Sequence, residues 1–165
     1  MNGPINARTL VIGIGNAYRK DDRVGLDVAR AIRSARIPGV EVLELSGEGA
    51  ALLESWQNAE RAILIDAVSS GAAPGTIRRF ELPSDTMPVQ FFHYSTHAFS
   101  LAEAIELARA LDLLPPRLIV YGIEGTDFSS GEGLSAAATR SAEDVARQIL
   151  RELRTTSTPS LQGAD

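Results

Sequence analysis

Ala62-Ile63-Leu64-Ile65-Asp66 decides the fold: four apolar residues in a row, preceded by Arg61 and closed by a carboxylate. An apolar run this short, with no polar alternation, reads as a strand covered on both faces, as strands of a parallel sheet are. Leu10-Val11-Ile12 and Leu118-Ile119-Val120, bounded by Gly, Pro or charge, read the same way. Between the runs lie segments with helical spacing: Val24, Val28, Ala31 and Ile32; Leu101, Ala104, Ile105 and Ala108; Ala138, Ala142, Val145 and Ile149. Two more mixed stretches, Val40 to Leu45 and Thr76 to Leu82, read as further strands, the second alternating like an edge or antiparallel strand. With an Ala/Leu-rich helix around Ala50 to Trp56, the order is a βαβαβ rhythm. Right-handed crossovers then predict one α/β domain, a twisted, mostly parallel sheet of about five strands with helices on both faces.

Composition bounds what such a domain can do. A chain of 165 residues with 44% hydrophobic content can bury one sizeable core. Residues 1–154 are expected to form that domain, and the Ser/Thr/Pro-rich stretch from Thr155 to Asp165 reads as a disordered tail. A formal net charge of -5 suits poorly a protein whose affinity comes from neutralising phosphates, so nucleic acid is not an expected partner. No stretch has the apolar h-region of a signal peptide or the length of a membrane span, which makes the cytoplasm the expected compartment. Cysteine is absent, so any metal must sit on oxygen and nitrogen.

Ligands of open α/β sheets bind beyond the carboxyl ends of the strands. Four predicted loops bring carboxylates there: Gly13 to Gly25 with Asn16, Asp21 and Asp22; Glu44 to Gly49 with Glu44 and Glu48; the end of the third strand with Asp66; and Gly122 to Gly125 with Glu124. Gly13 and Gly15 suggest a dinucleotide loop, but Tyr18 stands where the third glycine belongs. Two aspartates at a helix start also repel an anion and suit a cation. The plainer role for one of them is to cap the first helix. Asp66 closes a buried strand, where a carboxylate is costly to desolvate unless something pairs with it; organising the following loop is its plainer role. The two histidines lie in His93-Tyr94-Ser95-Thr96-His97, where Ser95 or Thr96 reads as an N-cap that leaves only His97 on the helix. The helix dipole there favours the neutral ring that coordination requires. Asp22, Asp66 and His97 together would offer two oxygens and one nitrogen to a borderline divalent ion.

The stretches GIGNAYRKDDRVG, VEVLELSGEG, AILIDAV, STHAFSLAEAI and YGIEGTDFSSGEGLS, in this order over nearly the whole chain, resemble the hydrogenase maturation proteases. The resemblance implies a three-layer sandwich of the phosphorylase/hydrolase-like kind. It implies an endopeptidase that recognises nickel already installed in the large-subunit precursor of a nickel-iron hydrogenase and removes a C-terminal extension. It also implies a metal-contacting set at Asp22, Asp66 and His97, with Asp21 as the alternative for the first position, and the nickel supplied by the substrate. Asn16, Glu44 and Glu124 become candidate substrate-binding residues. Two departures stand out: Asp22 where relatives often carry Glu, and Glu44-Leu45-Ser46-Gly47 where many carry Asp-Gly-Gly-Thr. Two rival readings are a peptidyl-tRNA hydrolase, which shares the first strand and loop but needs a His-Asn pair in place of Asp21-Asp22, and a non-catalytic nickel-binding assembly factor.

Overall fold

The computed structural model describes residues 8–88 and 101–155. In chain order the elements are β1 (Thr9–Ile14), a 3-10 turn (Lys20–Arg23), α1 (Val24–Ser34), β2 (Val40–Leu45), α2 (Gly49–Ser55), β3 (Arg61–Val68), β4 (Ile77–Leu82), α3 (Leu101–Ala110), β5 (Arg117–Glu124) and α4 (Ala136–Thr155). They form one five-stranded sheet in the order β2-β1-β3-β5-β4. The first four of these strands run parallel, and β4 pairs antiparallel with β5 at the edge. Every strand expected from the sequence is present, and the alternating one is the antiparallel edge.

The apolar runs form because the sheet is covered twice. Leu10, Ile12, Leu64, Leu118 and Val120 face a layer built on Leu52, Trp56, Ala104 and Ile105, from α2 and α3. Val11, Ile63, Ile65, Ile119 and Ile123 face the other layer, built on Val28 and Ile32 of α1 and Val145 and Ile149 of α4. Crossovers of one hand that travel in opposite directions along a sheet put their helices on opposite faces, and β1-α1-β2 and β2-α2-β3 do so here. Tyr121 is the polar exception inside this core, and its hydroxyl donates to Glu152 Oε1 at 2.7 Å. At the edge, Arg79 pairs with Glu152 at 2.9 Å and Arg117 with Glu81 at 2.7 Å, charges that discourage further strand pairing. Thr155 is the last residue of α4 rather than the first of a tail; residues 156–165 lie outside the described residues. Among the described residues no helix is long and apolar enough to cross a membrane.

Helix α1 sits unusually close to the strand ends. A Cβ built on Gly25 would lie 2.3 Å from the Ile65 carbonyl oxygen and 2.5 Å from that of Ile14. These contacts are with backbone, which cannot move aside as a side chain can. Gly25→Ala should therefore push α1 off β1 and β3 and cost about 2 kcal/mol or more, read as a lower midpoint in a denaturant titration with unchanged slope. A midpoint equal to that of the parent would show that the helix can shift without penalty.

Candidate active site

The sheet order turns back on itself between β1 and β3: the chain leaves β1 towards β2 on one side and returns to β3 on the other. Such a switch point leaves a crevice beyond the strand ends. The loop after β1 and the end of β3 flank it, and they carry Asp22 and Asp66.

Asp66 lies inside β3 rather than at its end, because the strand continues to Val68 alongside β5. Strand alternation places it on the α2/α3 face with Leu64 and Val68. Its register neighbour on β5 is Gly122, which has no side chain to occupy the space beside it. Asp66 keeps some exposed surface, yet its carboxyl is desolvated. Burial holds the carboxyl well above the usual carboxylate range, the negative charge of Asp22 raises it further, and the Ala67 N–H opposes both. Asp22, partly exposed, sits on the 3-10 turn, which rests against β3. The structure thus brings the two carboxylates within electrostatic reach of each other.

The neighbouring Asp21 does something different. It is 0% exposed, and its carboxylate accepts the Ser135 N–H on Oδ1 at 2.8 Å and the Thr126 N–H and hydroxyl on Oδ2 at 2.8 and 3.0 Å. Burial alone would raise it, but the donors of Ser135 and Thr126 outweigh burial and hold it below the usual range. Neither aspartate caps α1: the helix begins at Val24, its N-cap is Arg23, and no side chain caps it. The expectation that both lie at the helix start is thereby corrected, since the intervening turn is needed to aim them at different partners.

The other candidate residues are engaged locally. Asn16 is exposed, and its Oδ1 accepts the Tyr18 N–H at 2.9 Å, an ordinary Asx turn. Glu124, 4% exposed, accepts the N–H and hydroxyl of Ser70 and the N–H of Gly71 at 2.7–3.1 Å, so it shapes the loop after β3. Glu44 shares the α1/α4 face of β2 with Val40 and Val42 and is held by Arg30 and Arg33 of α1, each at 2.7 Å. Burial pushes the Glu44 carboxyl up, but the two guanidiniums together outweigh it and hold the group below the usual range. Glu44 and Asp66 therefore point to opposite faces of the sheet, and the structure does not bring them together. Glu48, exposed, is the N-cap residue of α2 but makes no side-chain cap.

His97, like His93 and the expected N-cap at Ser95 or Thr96, lies outside the described residues. Among the described residues no three His, Asp or Glu side chains gather as a metal site. What sequence reading missed is the loop after β5. Its contacts with Asp21 span 105 to 114 positions, and no local pattern announces them. Ser135 is legible in itself, because its Oγ accepts the Ala138 N–H at 3.2 Å and marks the start of α4.

A family model described as hydrogenase maturation protease matches residues 27–152. The hydrogenase 2 maturation protease of Escherichia coli K12 is 29% identical over 151 residues, covering 89% of this chain and 91% of its own. A putative hydrogenase maturation protease of Methanocaldococcus jannaschii is 24% identical over 152 residues, covering 88% and 96%. In fold, the chain is similar to the hydrogenase maturating endopeptidase HybD from E. coli, with a TM-score of 0.76 at 24% identity over 91% of this chain and 94% of that one. The [NiFe] hydrogenase maturation protease HycI from Thermococcus kodakarensis gives a TM-score of 0.69 at 22% identity over 90% and 93%. With the family model spanning most of the chain and the three-layer fold shared throughout, the protein belongs to the hydrogenase maturation protease family and is a protease.

Proposed function

We propose that this protease removes a C-terminal extension from the large-subunit precursor of a nickel-iron hydrogenase, and that Asp22, Asp66 and His97 meet the nickel that the precursor carries. The observation that supports it best is Asp66, desolvated and beside a second carboxylate at the switch point of the sheet. Two carboxyl groups so placed resist joint ionisation, and a cation between them favours the ionised pair. Two oxygens and an imidazole nitrogen suit a borderline ion whose thiolates come from elsewhere, as the absence of cysteine requires. The precursor supplies the metal, so the resting protease need hold none. A cation at this place serves as a recognition mark or polarises the scissile carbonyl or a water molecule. Action in the cytoplasm, on a protein partner and away from membrane and nucleic acid, completes the reading. Family membership displaces the peptidyl-tRNA hydrolase, and cleavage separates the protease from a non-catalytic assembly factor on the same fold.

Cleavage followed by intact mass tests this. Nickel-loaded precursor should lose a C-terminal peptide, nickel-free precursor should not, and Asp22→Asn, Asp66→Asn and His97→Ala should each lower the rate by about 100-fold or more. Binding without mass loss, or equal cleavage of both precursors, would overturn the proposal.

Asp66 also makes a prediction about stability. With its folded-state pKa raised, folding takes up a proton, so stability is greatest below the ordinary carboxylate range and declines as pH rises through the folded value. Asp66→Asn should therefore raise the thermal midpoint at pH 8 by about 2–4 °C while abolishing cleavage, and the gain should vanish at acid pH. A variant less stable than the parent at pH 8 would assign Asp66 a structural role.

Glu44 is committed to Arg30 and Arg33, so Glu44→Gln should leave KM and kcat within about twofold of the parent. A rise in KM of about tenfold with kcat intact would return Glu44 to the substrate-binding set.

A further inference from the structure

We infer that Asp21 is a positioning residue of the protease: its carboxylate clamps the loop after β5 onto the turn that carries Asp22, and so fixes where the Asp22 carboxyl stands relative to Asp66. This rests on the assignment of Asp22 and Asp66 to the reaction site.

The turn is held from two sides. On the inner side, the Asp22 N–H donates to the Arg19 carbonyl at 3.0 Å and the Asp22 carbonyl accepts the Asn16 N–H at 3.3 Å. That carbonyl also packs on Gly15, where a Cβ would lie 1.9 Å from it. On the outer side, the loop from Gly125 to Ser135 lies along residues 18 to 21. The Gly131 N–H donates to the Tyr18 carbonyl at 2.9 Å, the Lys20 N–H to the Gly131 carbonyl at 3.2 Å, and the Asp21 N–H to the Asp127 carbonyl at 2.9 Å. Arg19 Nε reaches the Phe128 carbonyl at 3.1 Å. The Asp21 side chain ties both ends of the loop at once: Oδ2 takes Thr126 and Oδ1 takes Ser135, where α4 begins. The Asp127 N–H adds a longer contact to Oδ2 at 3.4 Å.

One carboxylate thus locks the segment from Thr126 to Ser135 against the peptide unit next to Asp22. That peptide unit carries the Asp22 carboxyl, so the lock limits where the carboxyl can stand. Small displacements of a reacting group have large kinetic effects, and a side chain held by a second layer of hydrogen bonds avoids them.

The test is steady-state cleavage of nickel-loaded precursor, well below the melting midpoint of every variant. Asp21→Asn keeps the size but leaves one acceptor oxygen, so the amides of Ser135 and Thr126 cannot both be satisfied. It should lower kcat by about tenfold or more with KM within about threefold. Ile149→Ala, a truncation in the apolar core under α4, loses stability without touching the clamp and should keep the parental kcat. If Asp21→Asn does not fold, Thr126→Val, which removes only the 3.0 Å hydroxyl donor, decides the question by a several-fold fall in kcat at unchanged KM. Parental kcat in Asp21→Asn, or in Thr126→Val where the first cannot be measured, overturns the inference, as does an equal fall in Ile149→Ala. Asp22→Asn separates the two levels of the argument. If it cleaves like the parent, the assignment of the site itself fails; if it is inactive while Asp21→Asn is normal, only the clamp fails.

Discussion

Helices cover both faces of β3 and β5, so a polar group inside the sheet needs a partner, as Tyr121 has in Glu152. Ile63, Leu64, Ile65 and Leu118 through Val120 are all fully buried. A charge among them would lose its hydration without any partner to replace it. The chemistry is therefore pushed towards one rim, where the sheet order switches between β1 and β3. Asp66 is the one carboxylate of β3, set on the α2/α3 face between the buried Leu64 and Val68. Its raised pKa is the electrostatic record of that position.

Two aspartates adjacent in sequence have opposite electrostatic fates. Asp21 turns inward and meets amide and hydroxyl donors, so its charge is stabilised although no surface is exposed. Asp22 turns towards Asp66 and raises it. A carboxylate whose lone pairs are filled by backbone N–H groups has no capacity left for a cation, whereas a pair of carboxylates in mutual repulsion gains most from one. The 3-10 turn makes this division possible, since a regular helix start at Asp21 would have spent one of the two on capping.

The fold was legible because its signals are local. Apolar runs of strand length marked β1, β3 and β5, and alternation marked β4 as the edge. The site was legible only in part. That Asp22 and Asp66 follow neighbouring strands can be read from the order of elements, but what Asp21 does cannot, because its donors lie more than a hundred residues away. Glu124 is a similar case, with partners at Ser70 and Gly71. Glu44 is different. Its parity with Val40 and Val42 already put it on the α1 face, and Arg30 and Arg33 at helical spacing were there to receive it. Carboxylates that follow strands at one rim still leave from different faces of the sheet, and only those of one face can converge.

The glycines of the first loop show why a motif must be read through its contacts. Gly13 and Gly15 after a strand and before a helix suggest a loop that lets a phosphate approach backbone. Here the approaching atoms are the protein's own. A Cβ on Gly13 would meet the Gly25 carbonyl at 2.3 Å and Ala29 at 2.7 Å, and one on Gly15 would meet the Asp22 carbonyl. The small residues draw the turn and α1 down onto the strand ends, and that close packing sets the carboxylates of the turn beside β3. The same absence of side chains that admits an anion in a nucleotide-binding loop here brings two negative charges towards one another.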